Sequence, residues 1–375
     1  MRQLAYCTNI HAGEAWADVM RNLELHALAV KQACSPAHSF PLGLRLSARA
    51  AAELDADAVA AFRDWCARHG CHVMSVNGFP YGPFHGTAVK EAVYRPDWRD
   101  PERAAYTRRL ADLLAAWTPP GGRSSISTVP VAFRDGFTDV DWAAVRANLV
   151  GVLGHLARLH EHGGPLIVLA LEPEPCCVLE RTPQVVEFFA RLRLPAALAP
   201  YLGVCLDCCH QAVQFETPGT CLALLRGAGI PLAKVQVSSA LRVRGTELDR
   251  LLEFDEPTYL HQAVVRTAGG ELLRFPDLPQ LARWRARGIA VDECRVHFHV
   301  PVFLAQLEGC ATTRFFLEDL LPRLDPAVPL EVETYSFTAL PPALRLGSVA
   351  ESVTRELRWV QSLIEEADHA PHRRH

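Results

Sequence analysis

Short apolar runs alternate with longer amphipathic segments along the chain. The runs are typical of buried strands and cover residues 4–7, 41–46, 71–77, 124–129, 166–171, 202–206, 233–237 and 330–333. Helical periodicity separates them, over residues 14–33, 55–69, 101–117, 140–162, 183–192, about 211–226 and 349–367. Because strands that alternate with helices form parallel sheets, the pattern predicts an α/β fold, the (β/α)8 TIM barrel.

One segment, 240–301, is left over once the eight strands of the barrel have been assigned. Within it, two strand-like runs flank Gly269-Gly270, which is typical of a hairpin, and 293–303 has the pattern of a further strand. We therefore predict an insertion at 240–301, between strands seven and eight, that borders the top of the barrel. In the alternative interpretation, 294–300 is the eighth barrel strand and 330–333 is displaced.

The composition fits one large domain or at most two, because 49% of the 375 residues are hydrophobic and 21% are charged. The interior has no low-complexity linker, so we predict a single barrel domain over 1–368 and a disordered tail at 369–375. The 12 cysteines are expected to be mostly buried free thiols, since many lie in apolar runs.

Charge and hydropathy narrow the classes of partner. A formal net charge of -4 argues against nucleic acid, which normally selects a basic surface. There is no charged-then-apolar leader and no apolar run near 20 residues, so we expect a cytoplasmic protein without membrane insertion. The chain also has no P-loop, no dinucleotide-binding glycine motif and no Gly-x-Ser-x-Gly elbow, which disfavours nucleotide cofactors and serine hydrolysis.

Acidic side chains stand where three of the predicted strands end. Glu172 follows strand five, Asp207 follows strand six with His210 three residues later, and Glu333 closes strand eight. A carboxylate at the end of a buried strand is costly unless it has a partner, and the carboxyl ends of barrel strands form the catalytic face. Arg partners for the glutamates, and a helix-capping role for Asp207, are the structural alternatives. Glu174 lies between two prolines, and its position favours neither a functional nor a structural role.

These positions resemble the xylose isomerase-like superfamily of TIM barrels, which includes sugar epimerases and endonuclease IV-type hydrolases. The motifs that carry the resemblance are Leu-Ala-Leu-Glu at 169–172, Asp-Cys-Cys-His at 207–210 and Val-Glu-Thr-Tyr at 332–335. In the epimerase branch, the corresponding Glu, Asp and Glu bind one divalent metal together with a histidine on strand seven. This chain departs there, because Gln236 or Ser238 occupies that position.

The resemblance implies a metal site of Glu172, Asp207 and Glu333 with a fourth ligand from elsewhere. His297 and His299 alternate with apolar residues and so share one face, and we predict that His299 replaces the missing histidine. A core or interface edge is the alternative for both. Carboxylate and imidazole donors together suit Zn²⁺ or Mn²⁺.

Catalysis is assigned to the same end of the barrel. We predict that Glu172 and Glu333 act as ligand and base on opposite sides of the substrate, and that His210 binds the metal or orients Asp207. The substrate is predicted to contact four further side chains, His11, Gln236, His261 and His297. An isolated histidine is more often a polar side chain with local hydrogen-bond partners than a substrate contact. This is the alternative interpretation for His11 and His261.

A narrower resemblance covers nearly the whole chain. Segments 6–11, 171–176, 238–241, 259–262 and 295–301 look like those of the EboE family, the barrel member of bacterial metabolite-traffic gene clusters. The resemblance implies a role with precursors of secondary metabolites, and other proteins of the same operon as partners.

Three functions follow from these patterns. The leading hypothesis is a metal-dependent isomerase or epimerase acting on a small polyhydroxylated or carbonyl metabolite. The second is a metal-dependent phosphate or ester hydrolase, which would use two or three clustered metals. The third is a noncatalytic protein that binds and transfers a metabolite. Metal content discriminates best among them, because fold alone does not decide function.

Overall fold

Parallel strands form most of the sheet in the computed structural model of the chain, which describes residues 2–340, 345 and 347–369. The first seven strands are β1 Leu4–Tyr6, β2 Phe40–Arg45, β3 Cys71–Asn77, β4 Arg123–Thr128, β5 Leu166–Leu171, β6 Leu202–Asp207 and β7 Leu232–Val237. From β2 to β7, each strand pairs in parallel with the next. These are the apolar runs of the sequence, and both of their faces are covered.

A second sheet interrupts the barrel after β7. Its six antiparallel strands are β8 Leu241–Arg244, β9 Ala263–Thr267, β10 Leu272–Phe275, β11 Val291–Val296, β12 Gln306–Leu307 and β13 Cys310–Thr312. The hairpin predicted around Gly269-Gly270 is β9 and β10. The sheet continues past residue 301, the predicted end of the insertion, because β12 and β13 return to pair with β8. These two strands have only two and three residues, too few to show a periodic pattern.

The eighth barrel strand is β14, Leu330–Val332. It pairs in parallel with β7 on one side and β1 on the other. A parallel bridge between Cys7 and Gly43 joins the ends of the sheet. The fold is therefore a (β/α)8 TIM barrel with an insertion between strands seven and eight. The alternative that placed the eighth strand at 294–300 is wrong, since β11 lies in the antiparallel sheet.

Helices cover the barrel and continue into the insertion. They are α1 Trp16–Asn22, α2 Leu28–Cys34, α3 Ala48–Glu53, α4 Ala56–His69, α5 Pro101–Trp117, α6 Trp142–Glu161, α7 Thr182–Leu192, α8 Cys208–Val213, α9 Pro218–Gly227, α10 Asp249–Leu252, α11 Leu278–Arg285, α12 Arg314–Leu320 and α13 Val349–His369. The helix predicted near 211–226 is two helices, because Phe215 adopts a left-handed φ of 59° and Pro218 starts a new helix. In the described part of the chain, no helix is long and apolar enough to cross a membrane.

A buried ion pair fills the barrel interior below its top. Lys234 Nζ lies 3.1 Å from Glu331 Oε1, both side chains are fully buried, and Ser75 donates a hydrogen bond to the same carboxylate. Gly43 leaves the room for it, since a Cβ there would lie 2.5 Å from Glu331 Cδ. Burial works to lower the pKa of the Lys234 ammonium, but several neighbouring groups, with Glu331 the strongest of them, together outweigh burial and hold that pKa above its ordinary value.

The last described helix, α13, is attached to the top of the barrel by one buried carboxyl group. Glu356 Oε2 accepts hydrogen bonds from Thr334 Oγ1 at 2.6 Å and from the backbone N–H of Val302 at 3.1 Å. The side chain thus connects α13 to the insertion and to the segment after β14. Burial raises the pKa of Glu356 to about 7. Of the predicted disordered tail, only His369 is described, as the end of α13, and 370–375 lie outside the described residues.

The pKa of Glu356 predicts how stability changes with pH. The folded protein holds this proton up to about pH 7, whereas an ordinary glutamate loses it near pH 4.5. The free energy of unfolding should therefore decrease as the pH rises from about 4.5 to about 7. Relative to Glu356→Gln, the wild type should lose roughly 2–3 kcal/mol between pH 5 and pH 8, measured by urea denaturation. Glu366→Gln, an exposed change on the same helix, is the control. Equal pH slopes for the wild type and Glu356→Gln would contradict the assignment.

Candidate metal centre

Three carboxylates converge at the carboxyl ends of the barrel strands. Glu172 follows β5, Asp207 ends β6 and Glu333 follows β14. One oxygen of each lies within 4.8 Å of the other two, and all three residues are buried. The barrel brings them together because the strands that carry them end at the same face.

Amide groups hold Glu333. Its Oε1 accepts a hydrogen bond from Asn9 Nδ2 at 2.6 Å and another from Asn77 Nδ2 at 3.2 Å. Asn77 is the last residue of β3, and Asn9 lies in the short turn after β1. Two neutral donors thus orient this carboxylate without supplying a compensating charge.

Asp207 is fixed from its own helix and from β7. Its Oδ1 accepts hydrogen bonds from the backbone N–H of His210 and from Ser238 Oγ, both at 2.8 Å. The first bond caps α8, so the capping role weighed for Asp207 is present. The cap uses only Oδ1, and Oδ2 remains buried without a hydrogen-bond partner among the described residues.

Excess negative charge defines the electrostatics of the cluster. Glu172 Oε2 is buried without a hydrogen-bond partner, and neither Glu172 nor Glu333 forms an ion pair with an Arg or Lys of the described chain. Burial, and then the neighbouring carboxylates, raise the pKa of Glu172 and of Glu333 well above the ordinary glutamate value. An Arg-paired structural role is therefore absent for both glutamates. The cluster needs protons or a cation.

His299 presents one ring nitrogen to the cluster. Its Nδ1 donates to the backbone oxygen of Glu333 at 2.8 Å, which leaves Nε2 without a proton in the neutral ring. Nε2 is 3.9 Å from Asp207 Oδ2 and has no hydrogen-bond partner in the described chain. Burial lowers the pKa of His299 to about 4, so the ring is neutral near pH 7. The carbonyl contact sets the tautomer that metal-binding histidines use.

These donors fit a divalent cation. Three atoms, Glu172 Oε2, Asp207 Oδ2 and His299 Nε2, are buried, can donate an electron pair and lack a partner among the described residues. Buried polar atoms are rarely left unpaired, and a cation would satisfy all three and offset the charge. Carboxylate oxygen with imidazole nitrogen is a donor set of Zn²⁺ and Mn²⁺ sites.

A small cavity of about 60 Å³ adjoins the cluster. Its polar lining consists of Asn9, Asn77, Lys90, Glu172, Glu174, His210, Gln262, His297 and Glu333. Its apolar and aromatic lining consists of Phe79, Pro80, Phe84, Val89, Val93, Tyr94, Tyr259, Leu260 and Tyr335. The long loop after β3 and the insertion both contribute to the aromatic part. The cavity therefore has both charged and apolar lining residues.

The remaining predicted substrate contacts lie outside the cavity lining. His11 is buried, contacts Tyr6 Oη through Nε2 at 3.1 Å and stacks on His26 at 4.4 Å. His261 Nε2 lies 3.2 Å from Glu256 Oε1. Both imidazoles thus contact nearby side chains, as expected if they are ordinary polar side chains rather than substrate contacts.

Gln236 is also absent from the cavity lining. It lies two residues after Lys234, on the same face of β7 and therefore in the barrel interior. Its side-chain oxygen and nitrogen are both buried without partners among the described residues. Water is the ordinary partner of such a group.

Several lining or supporting side chains had signals in the sequence that the prediction did not use. Asn77 ends β3, so the strand-end rule that selected Glu172 applies to it. Ser238 directly follows β7 and was considered only as a residue at the position of the missing histidine. Tyr335 follows the Val-Glu-Thr motif of strand eight. Asn9 had no comparable signal, because a turn separates it from β1.

Comparison with known proteins supports the fold. No family model matches the chain, and none of the curated proteins matches it.

Three solved structures resemble the chain. One is a xylose isomerase-like TIM barrel protein from Mycobacterium smegmatis in complex with magnesium, with 11% identity, a TM-score of 0.55 and 98% of each chain covered. The second is a xylose isomerase domain protein from Planctomyces limnophilus, with 14% identity, a TM-score of 0.53, and 98% of this chain and 99% of that chain covered. The third is D-psicose 3-epimerase with D-tagatose from Clostridium cellulolyticum H10, with 12% identity, a TM-score of 0.51, and 98% of this chain and 99% of that chain covered. At these identities, the likeness establishes the xylose isomerase-like barrel fold.

Neutralising one carboxylate tests the electrostatic account. Glu172→Gln should keep or raise the thermal stability of the metal-free protein, because it removes a repulsive buried charge. It should also lose most of the stabilisation that saturating Mn²⁺ or Zn²⁺ gives the wild type, about 3 kcal/mol at 100 times the Kd. Thermal melts with and without metal measure both effects.

The matched control is Glu180→Gln. Glu180 is buried but pairs with Arg134 at 2.6 Å, so its loss of charge should lower metal-free stability and leave the metal response unchanged. If Glu172→Gln behaves in the same way as Glu180→Gln, Glu172 is a structural residue and the account of the cluster fails.

Proposed function

We propose that the protein is a metal-dependent isomerase or epimerase that acts on a small hydroxycarbonyl metabolite. The observation that carries the proposal is the convergence of three buried carboxylates beside a cavity, two of them with an oxygen that has no hydrogen-bond partner among the described residues. A buried charge without a partner is costly, and such groups concentrate at functional sites.

The cation would be held by Glu172, Asp207, Glu333 and His299, and Zn²⁺ or Mn²⁺ suits these donors. When bound, it would polarise a carbonyl and its neighbouring hydroxyl and so acidify the adjacent C–H. His299 would supply the imidazole that the Gln236 or Ser238 position lacks. Ser238 has a different part, since its hydroxyl holds Asp207 in place.

Proton transfer falls to the two glutamates. Glu172 lines the cavity, so its carboxylate can accept a proton from a substrate carbon. Glu333 keeps its orientation through Asn9 and Asn77 and can return a proton from another direction. His210 orients Asp207 through its backbone N–H.

The cavity limits the substrate. About 60 Å³ holds only a few waters, well below the ~300 Å³ or more of typical ligand pockets, so a substrate must displace the covering segments. The covering side chains include Phe84, Tyr259 and Tyr335, whose rings pack about 5.2 Å apart. We propose that oxygen-bearing carbons face the carboxylates and that the rest of the carbon skeleton contacts these rings.

The biological setting is proposed from the resemblance to the EboE family. In this setting the barrel acts on small carbonyl precursors of secondary metabolites, in the cytoplasm and together with other proteins of its operon. A phosphate or ester hydrolase is the second candidate function. The histidines beside the carboxylates favour it, because hydrolases of this kind use clustered metals.

Solvent exchange tests the proposed reaction. The Mn²⁺-loaded protein, incubated in D2O with a panel of small ketoses and hydroxyketones, should incorporate deuterium next to the carbonyl of at least one compound, followed by NMR. Glu333→Gln should lower that rate at least ~100-fold. Glu356→Gln, which removes a buried carboxyl group outside the cavity, should keep it.

Other outcomes separate the alternatives. Hydrolysis of phosphate or carboxylic esters without exchange would replace the isomerase with the hydrolase. Metal-dependent binding of a panel compound with neither exchange nor hydrolysis would indicate a metabolite-binding protein. Either result overturns the proposed reaction.

A further inference from the structure

Two imidazoles beside the carboxylate cluster face each other through the same ring atom. His210 Nε2 lies 3.2 Å from His297 Nε2, and both rings are buried. The His210 Nδ1 lies 2.9 Å from the backbone oxygen of Pro173, which only accepts hydrogen bonds. That nitrogen therefore carries the proton, and in the neutral ring His210 Nε2 has a free electron pair.

His297 has the same tautomer. Its Nδ1 lies 2.7 Å from Gln262 Oε1. The amide orientation of Gln262 is fixed on its other side, where Nε2 donates to Tyr94 Oη at 2.8 Å and faces the carbonyl oxygen of Pro175 at 3.4 Å. Gln262 thus presents an acceptor to His297, so the proton lies on Nδ1 and Nε2 carries a free electron pair. His297 Nε2 lies 3.2 Å from His210 Nε2 and 3.2 Å from Tyr335 Oη.

Two electron pairs at this distance repel. The Tyr335 hydroxyl can donate to His297 Nε2, whereas a cation between the two rings would bind both nitrogens. Imidazole nitrogens bound to one metal at ~2.0–2.1 Å, with bond angles near 90–110°, are about 2.9–3.4 Å apart. The 3.2 Å between the two Nε2 atoms falls in that interval. The carbonyl partners of both Nδ1 atoms are those that orient histidine ligands in metal sites.

A carboxylate completes the group. One oxygen of Glu174 lies within 4.8 Å of the donor atoms of His210 and His297. Glu174 is 6% exposed, and its Oε1 accepts a hydrogen bond from Tyr94 Oη at 2.8 Å. Its Oε2 is buried without a partner among the described residues. Glu174 thus adds a carboxylate with one unpaired oxygen to the two imidazoles, and a cation would satisfy the three residues together.

We propose that Glu174, His210 and His297 form a second cation site, distinct from the carboxylate cluster, that binds Zn²⁺ or a similar borderline divalent ion. Two nitrogens and one oxygen are the donors of several catalytic zinc sites, which keep a further position open. All three residues line the cavity, so that open position would face the substrate. The site goes beyond the proposed isomerase and does not depend on it, since it shares none of the four proposed ligands of the first cation.

The two sites are adjacent. His210 Nε2 lies 3.8 Å from Asp207 Oδ1, and His210 and His299 form a donor triad with Asp207. The arrangement would place two cations along one wall of the cavity. A substrate with two neighbouring oxygen atoms could contact both.

Stoichiometry tests the proposal. The protein is stripped with chelator and titrated with ZnCl2 by calorimetry, with bound zinc counted by mass spectrometry after desalting. The wild type should bind two equivalents. His297→Gln and, separately, Glu174→Gln should each bind one, or bind the second at least 100-fold more weakly. His160→Gln, which removes a histidine that bonds Tyr201 on the outer surface, should keep two.

Changes in the carboxylate cluster identify which site fails. Glu172→Gln combined with Glu333→Gln should retain one equivalent that depends on His297. If the wild type binds one equivalent that only the double glutamate variant loses, the second site is wrong and the first stands. If only His297→Gln and Glu174→Gln lose zinc, the first site is wrong and the second stands. No bound zinc overturns both, and leaves His210 and His297 as an N–H···N pair that shares a proton.

Discussion

The burial of three like charges at one end of the barrel is the constraint on which the rest of the structure depends. Glu172, Asp207 and Glu333 are each at most 4% exposed, and no Arg or Lys of the described chain forms an ion pair with either glutamate. The nearby cation, Lys234, is already paired with Glu331. Such a cluster lowers the free energy of unfolding unless protons or a metal ion neutralise it. The three carboxylates therefore do not stabilise the fold by themselves.

The scaffold keeps these groups in place against their repulsion. The carboxylates sit at the ends of strands that are buried on both faces, and neutral donors from Asn9, Asn77 and Ser238 fix the orientation of two of them. Preorganised donors of this kind are what a cation site requires, because little reorganisation remains to be done on binding. His299 reaches the cluster from the insertion, with its Nε2 3.9 Å from Asp207 Oδ2.

Much of the fold could be predicted from the sequence, because each barrel strand is an apolar run of its own. The same rule located Glu172, Asp207 and Glu333, since a charged residue at a strand end is visible locally. The contacts that depend on distant parts of the chain were not visible. His210 and His297 are 87 residues apart, and Glu174 reaches them through a proline-flanked turn. The hydrophobic periodicity of the sequence contains no signal for contacts between residues that are far apart in the chain.

The central claim is that the carboxylate cluster binds a cation, and anomalous diffraction from crystals soaked in Zn²⁺ tests it most directly. The account predicts a zinc peak ~2.0–2.2 Å from one oxygen each of Glu172, Asp207 and Glu333 and from His299 Nε2. Crystals that take up zinc only elsewhere, with the three carboxyl groups hydrogen-bonded to one another, would contradict it.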